Sequence, residues 1–219
     1  MKTNIYVDGF NLYHRCVKGT PHKWLNIWHL CELMFPHYSI QRLRYFTADV
    51  QPKAGDPGIV ERQQMYLRAL KTLPGCTIHK GQFRRREHTG EALWPREVAG
   101  KLACVATWEE KRSDVNLATY LLLDAFDHDC KAAIIISNDS DLTEPIKAVR
   151  DRFAIKTIVV NPELPAKRRQ SGNKKHPQVS ALLGAADEFR HLRVGPLQAS
   201  QFPEEMEDTA GIIRKPAQW

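Results

Sequence analysis

Four aspartates stand where apolar segments end or begin, and they are the residues with the most chemistry to offer. In "IIISNDSDL", residues 134–142, Asp139 and Asp141 lie one serine apart at the end of a greasy run. In "IYVDGFNLY" Asp8 ends another such run and is followed by Gly9 and Asn11, and in "EEKRSDVNLA" Asp114 opens a long apolar stretch. Carboxylates crowded together repel one another unless protons or a cation neutralise them, and hard divalent cations favour carboxylate oxygen. If the fold gathers Asp8, Asp114, Asp139 and Asp141, the cluster predicts Mg²⁺ or Mn²⁺. Each also has a local explanation, because Asp and Ser are favoured helix N-caps and Asp114, Asp139 and Ser140 all stand just before helical patterns. Asp8 is harder to reduce to a cap, since a strand-end aspartate followed by Gly9 and a helix carrying Asn11 puts polar groups where phosphate could lie. Ser137, Asn138 and Ser140 either donate hydrogen bonds to phosphate and the acids or satisfy a local turn.

Gathering residues some 130 positions apart requires a particular scaffold. "NIYVD" reads as a strand running through Gly9 into a helical "FNLYHRCVKG". Trp24–Phe35 carries a loose helical stripe closed by Pro36, and "RLRYFTADV" at 42–50 is a second strand. A helix, "IVERQQMYLRALKTLPG", and a third strand, "CTIHKGQF" at 76–83, follow. Arg84 to Trp94 reads as an exposed irregular excursion, with "LACVATW" at 102–108 returning as a strand. "SDVNLATYLLLDAF" predicts a packed helix with Val115, Ala118, Leu122, Ala125 and Phe126 at helical spacing. "AAIIIS" is apolar enough for a central parallel strand covered on both faces. A helix from about Leu142 to Arg152 and a strand "IKTIVVN" at 155–161 complete the alternation. The class is therefore α/β, with a mostly parallel sheet and helices on both faces. Ligands in such sheets bind at the carboxyl ends of the strands. Asp8 and the Asp139/Asp141 pair share that crevice if their strands are neighbours.

The whole chain sets the bounds. Its 219 residues suit one domain with appendages, and 42% hydrophobic against 26% charged residues argues against disorder or a fibrous fold. We divide it into a core at 1–161 and an extension at 162–219, made of a basic loop, a short helix "SALLGAADEF" and a proline-containing tail packed on the same domain. Thirty-two lysines and arginines against 25 acids leave +7, which makes a polyanion, nucleic acid first, the expected partner. Phosphate contacts are expected from Arg84, Arg85 and Arg86, from Arg112, and from Lys167, Arg168, Arg169, Lys174 and Lys175. Phe10, Tyr13, Phe83 and Trp94 are the aromatic rings that could stack on unpaired bases. Five cysteines with no Cys-x-x-Cys pair, no signal-peptide pattern and no membrane-length apolar run point to reduced thiols in a cytoplasm.

"IYVDGFNLY", "EEKRSDVNLA" and "IIISNDSDL", in this order, closely resemble the three motifs of the NYN domain, a branch of the PIN-like metal-dependent ribonucleases. The resemblance spans residues 3–161 and implies a PIN-like, Rossmann-like fold. It implies hydrolysis of RNA phosphodiester bonds with Mg²⁺ or Mn²⁺ held by Asp8, Asp114, Asp139 and Asp141, and Asn11 touching the metal site or the scissile phosphate. Two positions depart from the pattern. Many relatives have glycine before "SDVN", where this chain has Arg112, and many carry a second acid six residues after the first, where this chain has Tyr120. Two other readings stand beside the nuclease: a non-catalytic RNA-binding or adaptor protein on the same scaffold, and a different Mg²⁺ phosphoryl-transfer enzyme. Against the last, Toprim proteins begin with glutamate and haloacid-dehalogenase phosphatases place Asp-x-Asp after the first strand. Oligomeric state is left open, a homodimer included.

Overall fold

A computed structural model describes residues 1–91, 100, 102–164 and 177–219, with the side chains of 177–180 left aside. Six parallel strands form the central sheet: β1 (Lys2–Asp8), β2 (Ser39–Thr47), β3 (Cys76–Lys80), β6 (Ala132–Ile136), β7 (Lys156–Asn161) and β8 (Glu188–His191). Their order is β3-β2-β1-β6-β7-β8. The chain thus builds outward from β1 in one direction, then crosses to β6 and builds in the other. The order reverses between β1 and β6, the two strands that carry the aspartates. Side chains alternate across a strand, which divides "NIYVD" between two cores. Ile5 and Val7 join Ile134, Ile136 and the helices α2 (Ile27–Met34) and α3 (Ile59–Lys71) on one face. Tyr6 joins Ala133, Ile135 and the helices α4 (Ser113–Phe126) and α5 (Thr143–Phe153) on the other. Apolar cover on both faces is why "AAIII" shows no alternation, all five residues being buried.

The sheet's connections depart from the sequence expectation in several places. The third strand does not run on to Phe83. It stops before Gly81, where any Cβ would collide with the Lys111 carbonyl and the Glu110 carboxylate. The expected irregular excursion is a regular antiparallel ribbon, β4 (Gln82–Glu91) with β5 (Leu102–Lys111), separate from the main sheet. Beyond β7 comes α6 (Pro177–Ala185), and "EFRH" leaves it to form β8, a sixth parallel strand the sequence reading missed. A short α1 (Gly9–Leu12) continues as one π-helical turn over Tyr13–Val17.

The tail packs into the first core. After α7 (Val194–Ala199) a hairpin of β9 (Glu205–Asp208) and β10 (Gly211–Arg214) is tied to α3 by Arg68, whose guanidinium donates to both oxygens of Asp208 at 2.7 and 3.0 Å. Trp219 then meets Trp24 and Tyr66 with ring centroids 6.1 and 5.8 Å away.

The buried stripe of α4 overlaps the expected one only in part: Ala125 is buried and Ala118 and Leu122 pack against the core. Leu117, Leu121, Asp124 and Ala125 face inward, whereas Val115 and Phe126 are 68% and 70% exposed. Hydropathy hid the face because the stripe contains an aspartate. Asp124 is buried with its charge matched: Arg44 donates to it from Nε at 2.7 Å and Nη2 at 2.5 Å, and Tyr6 donates its hydroxyl at 2.7 Å. Asn4 adds an amide at 3.4 Å.

Candidate active site

The Asp124 anchor sets where the other end of α4 falls. Asn4 and Tyr6 on β1 grip Asp124, and four residues of strand, about 13 Å, separate Asn4 from Asp8 on the same face. Ten residues of helix, about 15 Å, separate Asp124 from Asp114. The matching lengths carry Asp114, in the first turn of α4, towards Asp8 at the end of β1.

From β6 the register pairs Val7 with Ile136, so Asp8 and Ser137 leave the sheet side by side. Ser137 Oγ donates to Asp8 Oδ2 at 3.0 Å and accepts from the Asp139 amide at 3.1 Å. Asp8 Oδ1 accepts from the Asn11 amide at 2.9 Å as the N-cap of α1, and Asn11 Oδ1 accepts from the Asn138 amide at 3.3 Å. Asp139 Oδ1 in turn caps the following 3₁₀ turn, accepting from the Asp141 amide at 3.0 Å. The carboxylates are therefore caps and members of one chain of contacts at once. Gly9 permits the abrupt turn, because a Cβ there would lie 2.6 Å from the Tyr45 ring and 2.8 Å from the Phe46 carbonyl oxygen.

Electrostatics identify the same cluster. Burial raises the Asp8 carboxyl to about 7; the Asn11 and Ser137 hydrogen bonds oppose the rise, and the charges of Asp114 and Asp139 add to it. Burial also raises Asp114 to about 6, helped by Asp139, Glu110 and Asp141. Mutual repulsion of this kind marks sites that hold a proton or a cation.

Glu110 is a fifth acid that the sequence reading passed over. It accepts from the Ser113 hydroxyl at 2.7 Å at the start of α4 and contributes to the Asp114 shift. Its signal was an acid four residues before Asp114, inside a motif already singled out. Tyr120, where the family pattern leads one to expect an acid, is occupied elsewhere: Arg44 lies over its ring at 4.6 Å and the His79 ring centroid is 3.9 Å away. Arg112 is left-handed, with φ 85°. That backbone favours glycine, the residue the family pattern leads one to expect here.

As for a cation, among the described residues no group of three or more His, Cys, Asp or Glu side chains is placed to hold a metal ion. The repulsion seen by Asp8 and Asp114 nevertheless brings all four aspartates within electrostatic reach. Mg²⁺ characteristically binds through one or two carboxylates and keeps several waters, so the chemistry of these donors, carboxylate oxygen throughout, is the kind a hydrated hard cation uses.

The basic residues divide. Arg85 pairs with Glu87 at 3.2 Å and Arg86 with Glu109 at 3.5 Å. On the ribbon Arg84, Arg85, Arg86 and Lys111 are matched in number by Glu87, Glu91, Glu109 and Glu110. Arg112 lines a groove between α4 and α5 beside Asp114 and Asp141. Lys167, Arg168, Arg169, Lys174, Lys175 and Trp94 lie outside the described residues. Phe10 and Phe83 pack edge to face at 5.5 Å. The Ser140 carbonyl accepts from the Thr143 hydroxyl at 2.6 Å, a turn contact.

Comparison with known proteins adds three findings. The sequence model described as the NYN domain matches residues 2–192. The 6-hydroxy-3-succinoylpyridine 3-monooxygenase of Pseudomonas putida is 28% identical over 245 aligned positions, covering 100% of this chain and 75% of that protein. A crystal structure of a protein of unknown function from Vibrio parahaemolyticus superposes with a TM-score of 0.53 at 16% identity, covering 88% of this chain and 93% of the other. At that identity the structural likeness speaks for the fold alone.

Proposed function

The chain belongs to the NYN domain family, and on that premise we propose that it is a metal-dependent ribonuclease, hydrolysing phosphodiester bonds in RNA at Asp8, Asp114, Asp139 and Asp141. The observation that carries this reading is the buried Asp8, fastened to Ser137 and raised by Asp114 and Asp139 at the point where strand order reverses. Mg²⁺ or Mn²⁺ held by these aspartates would lower the pKa of a bound water and shield the phosphate. The chain's own residues do the rest. Ser137 and the Asn11 amide fix the orientation of the Asp8 carboxylate, leaving a lone pair on each oxygen for a ligand. Asn11 also holds the 137–139 loop through the Asn138 amide, so that Asp139 is set by backbone contacts. With Asp8 near neutrality, its carboxyl releases or takes up a proton at Oδ as charge in the site changes. Arg112 and the basic segment around Lys167 would meet the RNA backbone. Five free cysteines are in keeping with a cytoplasmic setting.

The test is cleavage of single-stranded RNA in Mn²⁺ or Mg²⁺, with EDTA and Asp8→Asn and Asp139→Asn as controls. Loss of cleavage in all three, with thermal unfolding still cooperative, is the expected result.

The match, over the whole of this chain and 75% of the other, to an enzyme named for a substituted pyridine supports a second reading, in which the same crevice serves a small aromatic substrate. RNA left intact by folded, metal-loaded protein favours that reading.

A further inference from the structure

A cavity of about 340 Å³ opens one residue away from Asp8, between α1, the end of β2, α3 and the tail. Five aromatic rings line it: Phe10, Tyr13, Tyr45, Tyr66 and Trp219. The size lies at the lower end of the roughly 300–1,000 Å³ usual for small-molecule sites, room for one ring and a short arm. Four of the polar side chains in its wall are already matched. Asp56 and Arg62 are paired with each other. Gln63 Oε1 accepts from the Val50 amide and Nε2 donates to the Ala48 carbonyl, both at 2.9 Å. The Tyr66 hydroxyl donates to the Leu25 carbonyl at 2.9 Å.

Two further polar groups in the wall, a cation and a hydroxyl, bear on the charge of a ligand. Lys23 is half-buried, yet it forms no ion pair or hydrogen bond among the described residues. Tyr45 is 6% exposed, and its hydroxyl likewise has no hydrogen-bond partner there. Aromatic walls favour a flat ring, while an unpaired cation and a free hydroxyl in an apolar setting favour an anion. We propose that this cavity binds a planar aromatic ring carrying an anionic group. Two sources share that chemistry, the base and phosphate of a nucleotide and a free aromatic carboxylate.

Titrating the full chain by calorimetry with uridine 5′-monophosphate and with nicotinate, each against its uncharged counterpart uridine or nicotinamide, tests this. The titrations are run in EDTA, so their outcome is independent of metal at the carboxylates and of RNA cleavage. At least one anion is expected to bind about tenfold or more tightly than its counterpart. Lys23→Gln should erase that preference, and Val50→Trp, which fills the cavity, should abolish binding while both variants keep the wild-type unfolding temperature. Saturation by the nucleotide alone assigns the cavity to a substrate base, and saturation by nicotinate alone assigns it to small acids. Binding of neither anion, or an anion preference that survives Lys23→Gln, would overturn the proposal.

Discussion

Asp8 is a residue whose charge works against the fold. A carboxyl raised to about 7 in the folded state, against 3.8 when free, means that the native protein holds the proton more tightly than the unfolded chain. Its contribution to stability is therefore present at low pH and is lost as pH rises from about 4 through 7. Asp8→Asn keeps the N-cap and the Ser137 contact but removes the buried charge. In metal-free buffer at pH 8 it should stabilise the protein by about 2 kcal/mol in urea unfolding, and the gain should shrink towards pH 5. A neutral or destabilising effect at pH 8 would mark Asp8 as a cap only. Arg112 permits a separate check, since a non-glycine residue at φ 85° costs about 1–2 kcal/mol. Arg112→Gly should raise the unfolding temperature, and a lower one would show that the arginine side chain compensates for its backbone. The aspartates were legible in the sequence because each stands at the edge of an apolar run. Glu110 was not, because an acid within the charged run "EEKR" has no such contrast around it.

At the scale of elements, β1 and α4 hold the site in register through Asp124. Its carboxylate, 4% exposed, receives Arg44, Tyr6 and Asn4, and neighbouring His79 is pushed down to about 4 by burial and by the Arg44 charge. Arg44→Ala would leave Asp124 buried without a counter-charge and should cost about 3–5 kcal/mol in urea unfolding. Tyr6→Phe removes one hydrogen bond to a charged group and should cost about 1.5–3 kcal/mol. Costs near zero would mean that the network does not carry the register. This network also explains what the sequence concealed. Periodicity located α4 within a residue, but a uniformly apolar helix does not reveal its inner face, least of all when that face includes an aspartate. β8 escaped for a related reason: "EFRH" is four residues long and half-buried, too short for an alternating pattern to stand out after a helix.

For the whole molecule, charge and topology make different contributions. The net +7 is not concentrated on the β4–β5 ribbon, where arginines and glutamates balance, so the basic run from Lys167 to Lys175 should govern affinity for RNA. Replacing Lys167, Arg168 and Arg169 with glutamine should flatten the salt dependence of RNA binding, each lost contact reducing the slope by about 0.7 for a single strand. An unchanged slope would remove that segment from the interface. The mostly parallel α/β sheet was readable in outline from alternating strands and helices, though not its full strand order, whereas the packing of Trp219 against Trp24 depends on long-range contacts that no local pattern encodes. Topology is what gives the four aspartates a common address, and one measurement tests whether they form a nuclease site. It is RNA cleavage in Mn²⁺ by the wild-type chain and by Asp139→Asn, with folding of both confirmed. Cleavage by the wild type that is lost in EDTA and in Asp139→Asn is the predicted result; undiminished cleavage by Asp139→Asn, or none by the folded wild type, would contradict it.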